Sequence, residues 1–148
     1  PHHLESIMTP IQHTEPARTG EHVLSEAAGS RSRESIVLAS GALAAGNVLA
    51  MTADGTYVAH APTASDGTEI AAGILYGPAD ATDGPVPAVA HVRDCEVNGT
   101  GVTWAADMTD DQLGAMNASL MEAGIILRGV ELPAGPVLSG GETVQETP

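Results

Sequence analysis

Between Thr52 and Tyr76 the chain reads TADGTYVAHAPTASDGTEIAAGILY, with two Asp-Gly-Thr turns, Asp54-Gly55-Thr56 and Asp66-Gly67-Thr68, each leading into a short apolar run. Asp and Gly tolerate the positive φ of tight turns, and the β-branched and aromatic residues behind them suit a pleated, half-buried surface. A run of this kind commits the chain to short strands joined by tight connections. No titratable cluster, metal spacing or phosphate loop interrupts it. That pattern favours a module that packs and binds over one that does chemistry.

Charge narrows the partners. The 148 residues carry 19 Asp+Glu against 5 Arg and no Lys, a formal net charge of -14. Such a surface repels a phosphate backbone and an anionic bilayer, so neither nucleic acid nor a membrane is expected as a partner. No apolar run approaches the ~20 residues of a helical span, and no basic-then-apolar leader is recognisable, so a soluble, unsecreted protein is expected. Cys95 is the single cysteine. It allows no intrachain disulfide and reads as a small buried hydrophobe.

Core size is the next constraint. There is no Phe, one Trp (Trp104) and two Tyr (Tyr57 and Tyr76), so the apolar content is mostly Ala, Val, Leu and Ile. Small side chains bury little area for this chain length, which predicts marginal stability alone and a benefit from oligomerisation or docking.

Along the chain, residues 1–34 read as an extended arm without sustained periodicity, residues 35–128 as a compact domain, and residues 129–148 as a Gly/Pro-rich acidic extension. In the domain, Ser35–Ala39, two short pieces within Ala42–Ala50, Thr56–His60, Glu69–Tyr76 and Val86–Val97 are expected strands. Their close spacing and intervening turn residues predict a small β-barrel or sandwich-like core. One helix is expected after Thr109. The run Thr109-Asp110-Asp111-Gln112 matches a capping box, with Leu113, Met116, Leu120 and Met121 as its apolar face and Gly124 as its left-handed stop. Ile125–Arg128 then resumes an extended run.

Catalytic and metal motifs are missing. His60 and His91, each in an expected strand, have no accompanying nucleophile motif, and His2-His3 cannot supply a tetrahedral metal set. Asp107, Asp110 and Asp111 could suggest a cation site, but helix capping accounts for two of them and no calcium-loop pattern is present. A P-loop needs a Lys, which this chain lacks. Trp104 reads as a packing anchor with its indole N–H bonded locally, and Thr109 and Gln112 as the helix cap. No cofactor, metal or catalytic residue is expected.

Taken in order, Ala53–Ala59 (ADGTYVA), Ser65–Leu75 (SDGTEIAAGIL), the Val86–Val97 strand, Val102–Gln112 (VTWAADMTDDQ) and Gly124–Arg128 (GIILR) resemble the head decoration protein D family of lambda-like tailed bacteriophages. The resemblance covers roughly residues 35–128. It implies an α+β, mostly-β domain of the β-clip type, with one short capped helix, an extended N-terminal arm and a C-terminal tail. It also implies a homotrimer that caps three-fold positions on the outside of an expanded icosahedral head and cements it against packaged DNA. The partners implied are the major capsid protein and the chain itself. The location implied is the outer surface of the virion capsid, reached from the host cytoplasm during assembly.

In the family the arm orders on the capsid by extended pairing. Here that role would fall on Ile11, Val23, Leu24, Arg31 and Arg33. The alternative reading is a virion surface module that binds a host receptor or glycan. An enzyme of the trimeric β-clip type would need carboxylate and Ser/Gly motifs at subunit junctions, and none is found.

Overall fold

The computed structural model describes residues 17–134. Among these residues ten strands and one α-helix are formed, in the order β1 (Val23–Glu26), β2 (Arg33–Leu38), β3 (Ala42–Leu43), β4 (Val48–Met51), β5 (Tyr57–Ala59), β6 (Ala71–Leu75), β7 (Ala79–Asp80), β8 (Val86–His91), β9 (Cys95–Asn98), α1 (Asp110–Glu122) and β10 (Ile125–Arg128). Strands β2-β5-β4-β6-β8 close into a barrel, β1-β9-β10 form a second sheet, and β3 pairs with β7 in a small flap. The expectation of a mostly-β domain with one capped helix holds.

The two Asp-Gly-Thr turns have the backbone that their residues favour. Gly55 has φ +87° and Gly67 φ +103°. Asp66 accepts from both the backbone N–H and the hydroxyl of Thr68, at 3.1 and 2.6 Å, so the carboxylate stabilises its own turn.

The barrel is closed by a long antiparallel ladder of β2 with β8, from Arg33 opposite His91 to Leu38 opposite Val86, and by one parallel pairing of Leu38 with Tyr57. Five strands enclose a narrow bore, which suits Ala and Leu better than Phe. Ile36, Leu38, Leu49, Tyr57, Leu75, Ala81 and Ala90 fill one buried cluster. Val48, Ile74, Cys95, Val97, Met116, Leu120 and Ile125 form another. Strands β4 and β6 are the shared wall: Val48 and Ile74 belong to the second cluster, and their neighbours Leu49 and Leu75 to the first. Successive strand side chains point to opposite faces, so a strand covered on both sides is apolar throughout.

Helix α1 is the crossover between the parallel strands β9 and β10, a connection that a hairpin cannot make. Its start is fixed by reciprocal hydrogen bonds: the Gln112 N–H donates to Thr109 Oγ1 at 3.1 Å, and the Thr109 N–H donates to Gln112 Oε1 at 2.9 Å. Asp110 and Asp111 occupy the first turn. Gly124 ends the helix at φ +87°. Met116 and Leu120 are buried and Leu113 packs against them, but Met121 is 52% exposed and is not part of the buried face. One residue along a helix turns by about 100°, which carries Met121 past the edge of a narrow stripe.

Two other expectations change. The run Val86–Val97 is two strands in different sheets, because the chain bends between His91 and Cys95 and Asp94 takes φ +49°. Asp is among the few residues that accept this left-handed backbone. The boundary of the compact part also moves. Residues 17–33, expected within the extended arm, pack onto the domain as a strap: β1 pairs antiparallel with β9, His22 and Ser32 are buried, and β2 already begins at Arg33. The sparse apolar residues of this stretch concealed the fact that a complete sheet edge, β9, was available to it.

Candidate functional site

The strap contains most of the residues expected to meet a partner. Ile11 lies outside the described residues. Val23 is half-buried and pairs with Val97 in β9, while Leu24, on the opposite face of the strand, is 57% exposed. Arg31 is exposed, and its carbonyl accepts from Arg93 Nη1 at 2.6 Å. Arg33 is engaged within the protein. Its Nε and Nη2 donate to the two Glu26 oxygens at 3.0 and 2.6 Å, and its guanidinium sits 4.3 Å over the Tyr76 ring. This fork on a carboxylate holds Glu26 well below the usual range, at about 2, with His91 adding a second hydrogen bond. Of the expected contact residues, the structure therefore offers Leu24 and Arg31 outward and ties Arg33 inward.

The strap is held by a polar clamp at the bend of the chain. Ser32 Oγ donates to the Asp94 carbonyl at 2.7 Å and accepts from the Ala27 N–H at 2.9 Å, and the Ala27 N–H also reaches the Asp94 carbonyl at 3.2 Å. Farther along, the Asn98 N–H donates to the His22 carbonyl at 2.7 Å, and the Gly20 N–H donates to the Tyr76 carbonyl at 2.8 Å. His22, Glu26 and Ser32 were not singled out by the sequence. Each has one partner more than sixty residues away (Asn98, His91 and Asp94 respectively), and no local pattern announces it.

On the barrel wall an open concavity of about 820 Å³ is lined by Val37, Met51, Tyr57 and Pro87, with Glu34 and Arg93 at its rim. The Arg93 Nη2 donates to Glu34 at 3.0 Å. Val37 and Met51 are exposed apolar side chains here. Apart from this ion pair and Tyr57, no titratable side chain lines the concavity.

The remaining candidates are structural. Trp104 packs, partly buried, against the cluster that holds Met116 and Leu120. Cys95 is buried, and burial pushes its thiol up to about 11, out of nucleophile range. His60 donates through Nε2 to the Glu69 carbonyl at 2.8 Å, His91 donates to Glu26 at 2.7 Å, and neither ring nitrogen of His22 has a partner. Among the described residues no histidine is hydrogen-bonded to a Ser, Thr or Cys side chain, no group of three His, Cys, Asp or Glu could hold a metal ion, and no helix is long and apolar enough to cross a membrane.

The domain is a closed small barrel with a strapped-on second sheet and exposed apolar side chains. The family comparison says what kind of protein carries it. The family model for bacteriophage lambda head decoration protein D matches residues 12–125, and the chain belongs to this family. No curated protein matches. Membership implies a capsid decoration role in a family that is structural and not enzymatic. The matched span begins at residue 12, so the strap lies within the family domain and not outside it.

Proposed function

We propose that the protein is a capsid cement. It binds as a homotrimer to the outside of the expanded phage head, at three-fold sites, and stabilises the shell against the pressure of packaged DNA. The observation that carries this reading is the family match over residues 12–125. Three physical features support it. The core contains no Phe and one Trp, so added stability from neighbouring subunits has an evident use. The net charge of -14 suits a surface directed away from DNA. Strand β1 lies at the edge of its sheet, and Leu24 and Arg31 stand exposed on the same strap, a geometry open to backbone pairing with the major capsid protein.

The strap changes how this is tested. Deleting residues 1–33 would remove β1 and uncover His91 and Asp94, so the truncation that isolates a contact segment ends at residue 16. The shortened protein should sediment as a folded trimer and add to expanded shells at least ten-fold more weakly than the full chain. Undiminished addition would remove the leading segment from the contact, and a stable monomer at micromolar concentration without affinity for shells would overturn the whole reading.

A further inference from the structure

His22 is buried, yet neither its Nδ1 nor its Nε2 has a hydrogen-bond partner. Its ring sits in a slot made of backbone: a Cβ built on Gly101 would lie 3.2 Å from His22 Cβ, and one on Gly46 would lie 3.7 Å from His22 Nδ1. The His91 ring, fully buried, stands edge-on at 6.3 Å from centroid to centroid. His91 donates through Nε2 to Glu26, which leaves its Nδ1 as a second buried nitrogen without a partner. The Tyr76 ring also stands edge-on to His91, at 5.3 Å from centroid to centroid.

We propose that the buried His22–His91 pair, with Glu26, is a proton-sensitive latch: it fastens the part of the strap before β2, residues 17–32, against the barrel near neutral pH and releases it when His22 takes up a proton.

A neutral imidazole can be buried without partners at modest cost. An imidazolium adds a charge and a second N–H, and neither can be accommodated in this slot. The nearby carboxylate cannot turn to help, because Glu26 already accepts from both Arg33 nitrogens and from His91. Glu21, next in the chain, favours the charged ring, and His91 opposes it. The other segments against the ring, Ala44–Asn47 and Gly99–Gly101, contain no titratable side chain. Burial and His91 together lower His22 to about 4. Once the strap lifts, water solvates the ring and the proton is taken up readily, so acid favours the lifted state. Among the described residues no set of three ligands could hold a metal here, so a proton is the ligand that the cluster can sense. The latch is independent of what the outer surface binds.

Amide hydrogen exchange on the full chain between pH 7 and 5, corrected for the intrinsic rate, tests this. The Asn98 amide, bonded to the His22 carbonyl, and the Ala27 amide, bonded to Asp94, should open about ten-fold more per pH unit below the ordinary histidine range. Amides of the β2–β8 ladder should hold their protection. His22→Leu, which has nothing to protonate, should make the strap amides insensitive to acid. An equal acid response in His22→Leu, a flat response in the unaltered protein, or barrel amides opening in step with the strap would each overturn the latch. Should the variant not fold, the ring resonances of His22 in the unaltered protein decide. A ring that stays neutral while the strap is protected upholds the proposal, and one that titrates at its ordinary value under a protected strap refutes it.

Discussion

At Gly124 the chain must turn from helix α1 into strand β10 with φ +87°, directly against Asp94. A Cβ there would meet Asp94 Oδ1 at 2.8 Å and the Asp94 amide nitrogen at 3.0 Å. Alanine thus faces two penalties, the left-handed backbone and a collision with main chain that is itself bent at φ +49°. Gly124→Ala should cost about 1–3 kcal/mol, read as a lower urea midpoint at unchanged slope. The glycine was legible as a helix stop because the signal is local. Its second duty, making room for the bend at Asp94, was not, since the two residues are thirty positions apart. The same division runs through the histidines. His60, expected within a strand, lies one residue past the end of β5 and is satisfied on one side by the Glu69 carbonyl, whereas the partnerless ring of His22 had no sequence signature at all.

Elements were readable where their rules are short-range. The reciprocal cap of α1 spans four residues, Thr109 to Gln112, and both bonds form. The face of the helix was read one residue too wide, and this can be tested by contrast. Leu120→Ala removes a fully buried side chain from the cluster with Ile74 and Ile125 and should cost about 2–5 kcal/mol, whereas Met121→Ala, at an exposed position, should stay within about 0.5 kcal/mol. Thermal or urea denaturation of both variants checks the pair; equal losses would mean that Met121 is covered in solution. Strand β1 escaped notice for a different reason. Its four residues alternate only weakly, and its strand identity comes from pairing Val23 and Ser25 with Val97 and Glu96 across some seventy residues of chain. Strands β8 and β9 were merged because no Gly or Pro marks the bend between His91 and Cys95; only the positive φ of Asp94 reveals the change of sheet.

On the scale of the molecule, the two most strongly lowered acid-sensitive groups, His22 and Glu26, act in adjoining windows. His22 is lowered from 6.5 to about 4, so above pH 6.5 it costs the folded state nothing, and as pH falls toward 4 the unfolded chain takes up a proton that the fold excludes. Glu26 is lowered from 4.5 to about 2, so its contribution is complete above pH 4.5 and disappears as pH falls toward 2. Both have the same sign. Urea midpoints should therefore fall steadily from pH 6.5 downward, with His22→Leu making the upper part of the slope shallower and His60, also lowered by burial, keeping the rest; a midpoint constant between pH 6.5 and 4.5 would contradict the burial of His22. The closed barrel was legible as a class, from strand spacing and turn residues. Its strand order was not, because β4 and β6 are apolar on both faces and so carry no mark of which neighbour lies on which side. The second sheet has a further consequence. Val23 and Leu127 both lie beside Val97, one antiparallel and one parallel to it, so the chain arrives at and departs from the same end of β9, about 10 Å apart. A short Gly/Ser linker could join those two points and the ring be reopened at the exposed Asp54-Gly55 turn, and such a circular permutant should retain the native circular dichroism spectrum. By the same geometry, peptides fused directly before β1 and after β10 would emerge side by side, displayed on one flank of the domain.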